Sequence, residues 1–193
     1  LTTKTRDLQI AAWLSEALIK QHGFAGLRDS MTLLTGLQVN FWDTLHPEID
    51  EGDMEGRANA IAWFETQAAQ VIQTIPFTGS KGYSFRDWED SKVFNFSDNI
   101  ENLDSAEQER VSELKTQAEK QRRVTAEMWA AEVGATRRAK CEEVNFDLEE
   151  CWAEFNSLNQ AIEEKYDRNQ MPGLANLRKS LDAVHTQAKK LLE

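Results

Sequence analysis

The chain has 193 residues, 40% hydrophobic and 28% charged, and a net charge of -11. That length can bury the core of one domain and the composition excludes global disorder. An acid excess of this size disfavours nucleic acid and anionic lipid as partners, because both select clustered Lys and Arg.

In chain order, Thr2 to Thr5 offer N-caps for a first helix, with Asp7 in its first turn at the positive end of the dipole. That helix carries Leu8, Ala11, Ala12, Leu14, Leu18 and Ile19 at helical spacing. Gly23, after His22, supplies a residue without a Cβ where a left-handed cap stops it. A second helix with Leu27, Met31, Leu34, Phe41 and Leu45 breaks at His46-Pro47, since proline lacks an N–H and biases the preceding residue away from helix. After an acidic turn over 48–53, a third helix carries Ala58, Ile61, Ala62, Ala68, Ile72 and Ile75 and ends at Pro76.

Residues 77–103 lack sustained periodicity. They hold Gly79, Gly82 and six aromatics: Phe77, Tyr83, Phe85, Trp88, Phe94 and Phe96. A structureless loop of that length is unusual in a compact domain, so a short helix is expected over 84–93. Its aromatics either pin the segment to the helical body or form a partner-binding patch. Ser105 and Gln108 have capping-box spacing and open a highly charged, largely exposed helix to about Arg123. Thr125 caps the next helix, with Val124 and Trp129 at staple positions, and Gly134 weakens it.

The last third has the cleanest period. Cys141, Val144, Leu148, Cys151, Phe155, Leu158 and Ile162 alternate spacings of three and four, and Leu174, Leu177, Leu181, Val184, Ala188 and Leu191 repeat the pattern beyond a turn with Pro172 and Gly173. The expected form is an antiparallel hairpin. Its seams could be covered by each other, by the opening helices or by a second copy of the chain. The fold class is therefore all-α, a multi-helix bundle with a C-terminal antiparallel helical hairpin. One domain or fragment is expected over 1–193, with extended helices and the hairpin filling 105–193.

Motifs that carry chemistry are missing. His22, His46 and His185 lie in different elements without a second ligand at metal spacing, and an EF-hand register on the acidic turn puts Ala62 where a bidentate Glu is required. Residues 79–82 lack P-loop spacing, and no serine sits in a nucleophile elbow. Adjacent glutamates such as Glu142-Glu143 diverge on a helix. No metal, cofactor or catalytic residue is assigned. The basic runs over 120–123 and 137–140 read as solvated faces. Cys141 and Cys151 stand about 15 Å apart along one helix, too far for a disulfide, and read as buried thiols. No run is apolar enough to span a bilayer and no signal peptide opens the sequence, so a cytoplasmic protein without membrane insertion is expected.

The six tryptophans are Trp13, Trp42, Trp63, Trp88, Trp129 and Trp152, and five of them fall at or beside core-facing helical positions. Tryptophan is also enriched at interface hot spots. Trp88, Trp129, Val133 and Trp152 are the candidate protein–protein contacts, because they flank the least regular segment or widen an apolar seam. Surplus apolar area on the hairpin and near Trp129 further suggests self-association, at least to dimers.

The ordered series RDLQIAAWLSEALIKQHGFAGL, FWDTLHPEIDEGD, RANAIAWF and YSFRDWED resembles the ImpA-related N-terminal region of TssA proteins, assembly components of type VI secretion systems. The resemblance covers about 5–95 and continues weakly through Val124-Thr125 and the last two helices. It departs at the start, where the family's usual Pro-Cys-Gly motif is not seen before Leu1, which suggests a fragment. The family implies a non-enzymatic scaffold that contacts baseplate, tail or membrane-complex proteins, aids tail assembly, and oligomerises, often through a variable C-terminal domain. The competing expectations are a helical enzyme with convergent carboxylates and a helical small-ligand carrier.

Overall fold

The computed structural model describes residues 5–97 and 99–193. Among these there are seven α-helical elements and no strand: α1 (Leu8–Phe41), α2 (Glu55–Val71), α3 (Phe85–Val93), α4 (Ser105–Gln121), α5 (Ala126–Ala135), α6 (Arg138–Lys165) and α7 (Ala175–Lys189). Two isolated bridges, Asp7 with His46 and Asp50 with Asp53, lie in the opening part.

The first predicted stop is real. Gly23, inside α1, has φ 60° and ψ -132°, a conformation open to glycine and costly for any residue with a Cβ. The chain doubles back there: the Ser30 hydroxyl donates to the Ser15 carbonyl at 3.4 Å, although fifteen residues separate them. The two halves press together at Gly26, where an added Cβ would stand 2.1 Å from the Leu18 carbonyl oxygen. Thus α1 is a helical hairpin, and a short 3-10 turn, Trp42–Thr44, carries it to His46-Pro47.

The second half of α1 runs alongside α6 in the same direction, joined near one end by the Cys151 thiol on the Phe24 carbonyl (3.2 Å) and near the other by Trp42 against Tyr166 (5.1 Å). α7 returns antiparallel to α6, as the seams predict, with Asn145 beside His185 and Arg178 over the Phe155 ring. The seams are filled from within the chain: α6 packs on α1 and α7, and α7 packs on α2. Leu148, Cys151, Phe155, Leu158, Leu177, Leu181 and Val184 are fully enclosed in the same core as Leu27, Met31, Ile61 and Phe64.

Buried polar side chains lock this body. Glu65 of α2 accepts from the backbone N–H groups of Asn176 (2.6 Å) and Leu177 (3.0 Å), satisfying unpaired donors at the start of α7. Gln170 donates to the Gly52 carbonyl and accepts from the Met54 N–H, tying the α6–α7 turn to the start of α2.

The middle of the chain is an excursion from this body. α3 packs on α5, and α4 buries only Ala118, in line with its thin apolar stripe. Phe77, Phe85 and Phe94 are buried and pin residues 77–94 in place. The Thr125 cap is present, its hydroxyl accepting from the Met128 N–H at 3.3 Å.

Two caps differ from the sequence reading. Asp7 itself caps α1, accepting from the Gln9 and Ile10 N–H groups. The Thr2 and Thr3 candidates lie outside the described residues. Asp104, not Ser105, caps α4 by accepting from the Glu107 N–H at 2.8 Å, while Gln108 donates to the Ile100 and Leu103 carbonyls. At α4 the carboxylate displaces the neighbouring hydroxyl because it is the stronger acceptor and carries charge suited to the dipole. Two residues placed on core faces, Leu14 and Ala62, are exposed.

Candidate protein interaction surfaces

The FWDTLHP turn and the RANA helix start are joined through one side chain. Arg57, buried in the first turns of α2, donates from Nε to the Pro47 carbonyl (2.7 Å), from Nη1 to Trp42 (2.9 Å) and from Nη2 to Leu45 (2.5 Å), and its guanidinium lies 4.5 Å from the Trp42 ring centroid. The Pro47 and Leu45 carbonyls, which no helix or strand pairs, are thereby satisfied by the fixed fork of one arginine, which also adds a second donor to the Trp42 carbonyl beside the Leu45 N–H (3.4 Å). Burial pushes the Arg57 pKa down. His46 is a turn residue here: its N–H donates to the Arg6 carbonyl (2.6 Å) and its carbonyl accepts from Leu8 (2.9 Å).

A second knot holds residues 78–82. The Glu132 carboxylate of α5 is buried and accepts from the N–H groups of Ser80 (2.7 Å) and Lys81 (2.8 Å). Burial alone would raise its pKa, but the Lys81 N–H, the Thr78 hydroxyl and the Ser80 and Gly82 N–H groups outweigh it and hold the carboxyl below its ordinary range. Residues 79–82 thus surround an internal carboxylate.

The four candidate contact residues fall in two places. Trp88 on α3 is half-buried against Phe85 (5.1 Å), with Lys92 over its ring at 3.7 Å. On α5, Trp129 stacks on Tyr83 (6.3 Å) and meets Phe77 edge-on (6.1 Å), and Val133 is half-buried one turn later. Trp152 on α6 is apart from these. Its indole Nε1 donates to His185 Nδ1 (3.1 Å) and its ring meets Phe155 at 5.5 Å. α3 and α5 bring Trp88, Trp129 and Val133 into one substructure, which does not include Trp152.

The tryptophan that faces solvent most is not among the four candidate contacts. Trp13 is 54% exposed, with Ile10 at 40% and Leu14 at 41%, and spacings of three and four put all three on one face of α1. Three adjacent large apolar side chains form a patch rather than a scatter. A signal was present: the first half of α1 is apolar on two faces, and only one can meet the core.

A surface cleft of about 470 Å³ at the FWDTLHP turn is lined by Asp43, His46, Glu48 and Arg57 among others. A surface cleft of about 500 Å³ between α2, α3 and α7 is lined by Gln70, Gln73, Phe85, Lys179 and Ser180 among others, and Glu89 is the carboxylate in its wall. Among the described residues, no group of three or more His, Cys, Asp or Glu could hold a metal ion. No described helix is long and apolar enough to cross a membrane. Cys141 and Cys151 are both buried and free, and burial pushes the Cys151 thiol up to about 12.

Residues 1–66 match the family model described as ImpA, N-terminal, type VI secretion system. In three dimensions the chain is similar to the N-terminal domain, including the conserved ImpA_N region, of the TssA component of the type VI secretion system from Burkholderia cenocepacia. The TM-score is 0.84 at 25% identity, over 98% of this chain and 72% of that one. No curated protein matches the chain in sequence.

Proposed function

Because the chain carries the ImpA-related N-terminal region of the TssA family of type VI secretion components, we propose that it is a non-enzymatic scaffold of such a system. In this reading it works in the cytoplasm, binds baseplate, tail or membrane-complex proteins, aids tail assembly and self-associates. The observation that carries the reading is the likeness to a TssA N-terminal domain across 98% of the chain, well beyond the 66 matched residues. The exposed apolar patch on α1 supports a binding role over a catalytic one.

Two surfaces compete for the secretion partner. One is the α3–α5 face with Trp88, Trp129 and Val133, to which Trp152 would add a separate contact. The other is the α1 face with Trp13. The test is a pull-down with tagged chain from cells running an active type VI secretion system. Baseplate, tail or membrane-complex proteins should co-purify with the wild type, and their complete loss on either Trp129→Glu or Trp13→Glu would say which face holds them. A wild-type pull-down free of every secretion protein would overturn the function.

A further inference from the structure

We infer, resting on the scaffold reading for the source of the ligand, that the cleft of about 500 Å³ between α2, α3 and α7 holds a short extended segment of a partner protein by that segment's backbone. Ala69 and Phe85, both buried, and the half-buried Ala183 give the cleft an apolar lining. Two polar side chains stand among them. Gln73 donates from Nε2 to the Ala69 carbonyl (3.2 Å) and to the Ser180 hydroxyl oxygen (3.0 Å). A carbonyl only accepts, so the amide nitrogen is fixed on that side and Oε1 is turned away from it. Oε1 accepts from no described residue. The Ser180 oxygen, already an acceptor, still has its proton to donate, and no described group takes it although Ser180 is only 7% exposed.

The cleft thus offers one acceptor and one donor side by side against apolar walls. An extended chain presents the N–H and C=O of a single residue on the same edge, both unpaired, and so matches that couple. A helical segment has paired the same groups internally and meets neither. Glu65 on the Asn176 N–H and Gln73 on Ser180 show α2 and α7 running side by side in the same direction. From Thr66 to Gln73 the groove between them is about 10 Å long, which seats about three residues of extended chain. Glu89 of α3 and Lys179 of α7 are the charges in its wall, neither in an ion pair among the described residues, and they cancel. In a chain of net charge -11 a neutral cleft draws neither basic nor acidic tracts, so the seated residues are uncharged, with small or apolar side chains against Phe85 and Ala183.

The test pans the full chain against a displayed library of unstructured random peptides, then titrates the enriched sequences by fluorescence anisotropy at physiological salt. Enriched peptides should share an uncharged stretch. Ser180→Ala and Gln73→Leu should each weaken them at least about fivefold, and Ala183→Phe, which fills the cleft, should abolish binding. Methylating one particular peptide nitrogen should cost a similar factor against the wild type and nothing further against Gln73→Leu, a coupling that a merely destabilised variant does not give. Should a variant fold poorly, the methylated peptides read the site on the wild type alone. No enriched peptide, binding indifferent to all three variants and to methylation at every nitrogen, or peptides that bind as helices would overturn the inference. Cleft-dependent binding by a chain whose pull-down holds no secretion protein would support the cleft and refute the proposed function, and the converse pair of results would refute the cleft alone.

Discussion

The guanidinium of Arg57 sits over the Trp42 ring while donating to that residue's own carbonyl oxygen, so one side chain grips another from both its ring and its backbone. The same guanidinium reaches the Pro47 and Leu45 carbonyls. Lysine presents a point charge instead of a planar fork and cannot hold three diverging acceptors. Arg57→Lys should therefore cost about 2–4 kcal/mol through carbonyls left buried and unpaired. Urea unfolding would show a lower midpoint at an unchanged slope. A loss under about 1 kcal/mol would mean that water replaces the guanidinium at the turn.

Glu132 gives an acid-side prediction. Its folded pKa is depressed, so its contribution is fully present above the ordinary carboxylate pKa and lost as pH falls through the folded value. Glu132→Gln should lower the melting temperature at neutral pH, and the gap to wild type should close as pH drops from about 4.5 toward 3. A gap that stays constant over that range would point to shape rather than charge.

His185 acts in a different window. Nδ1 accepts from the Trp152 indole and Nε2 faces Asn145 Oδ1 at 3.0 Å, an arrangement that suits a neutral ring protonated at Nε2. Burial and Lys189 lower its pKa, against the opposing pull of Glu149 and Asp182. The folded value lies below the unfolded one of about 6.5, so stability should fall as pH drops from about 7 through the folded value. Protonation sets two donors against each other at Nδ1. His185→Gln should lack this neutral-range slope in melting temperature against pH, and a wild type with no slope there would refute the assignment.

Two glycines in helical elements should respond in opposite directions to alanine. At Gly26 the new Cβ would meet the Leu18 backbone at 2.1 Å, and neither limb of the α1 hairpin can yield without separating from the other. Gly26→Ala should cost about 3 kcal/mol or prevent folding. Gly134 on α5 has nothing within 4 Å of the same position, and Gly134→Ala should stabilise by about 0.5–1 kcal/mol. Thermal melts of the two variants provide the check.

Periodicity made the helices legible, because spacings of three and four depend only on the chain itself. The seams from Cys141 to Ile162 and from Leu174 to Ala188 are buried as read, and Gly23 turns the chain as read. Periodicity cannot tell which side of a doubly apolar helix meets the core, and so Leu14, read as core-facing, is exposed. Nor does residue type reveal that Arg57, Glu65 and Glu132 are buried, since their partners are backbone groups from distant or irregular segments. Trp152 was read only as widening an apolar seam, and spacing gives no sign that its indole is engaged by a histidine 33 residues away.

The body of this protein is assembled from the two ends of the chain, with α1 and α2 closed by α6 and α7 across the α3–α5 excursion. During synthesis α1 and α2 leave the ribosome with their α6-facing and α7-facing surfaces bare. Those surfaces stay open until more than 90 further residues have been added. At about 5–20 residues per second, that interval is on the order of 5–20 s. Throughout it, Leu27, Met31, Ile61 and Phe64 lack part of the core that later encloses them. The α1–α2 segment thus waits for its partners with apolar surface open to chaperones and to mispairing with neighbouring chains, a hazard set by the order in which the helices appear and not by the stability of the finished fold.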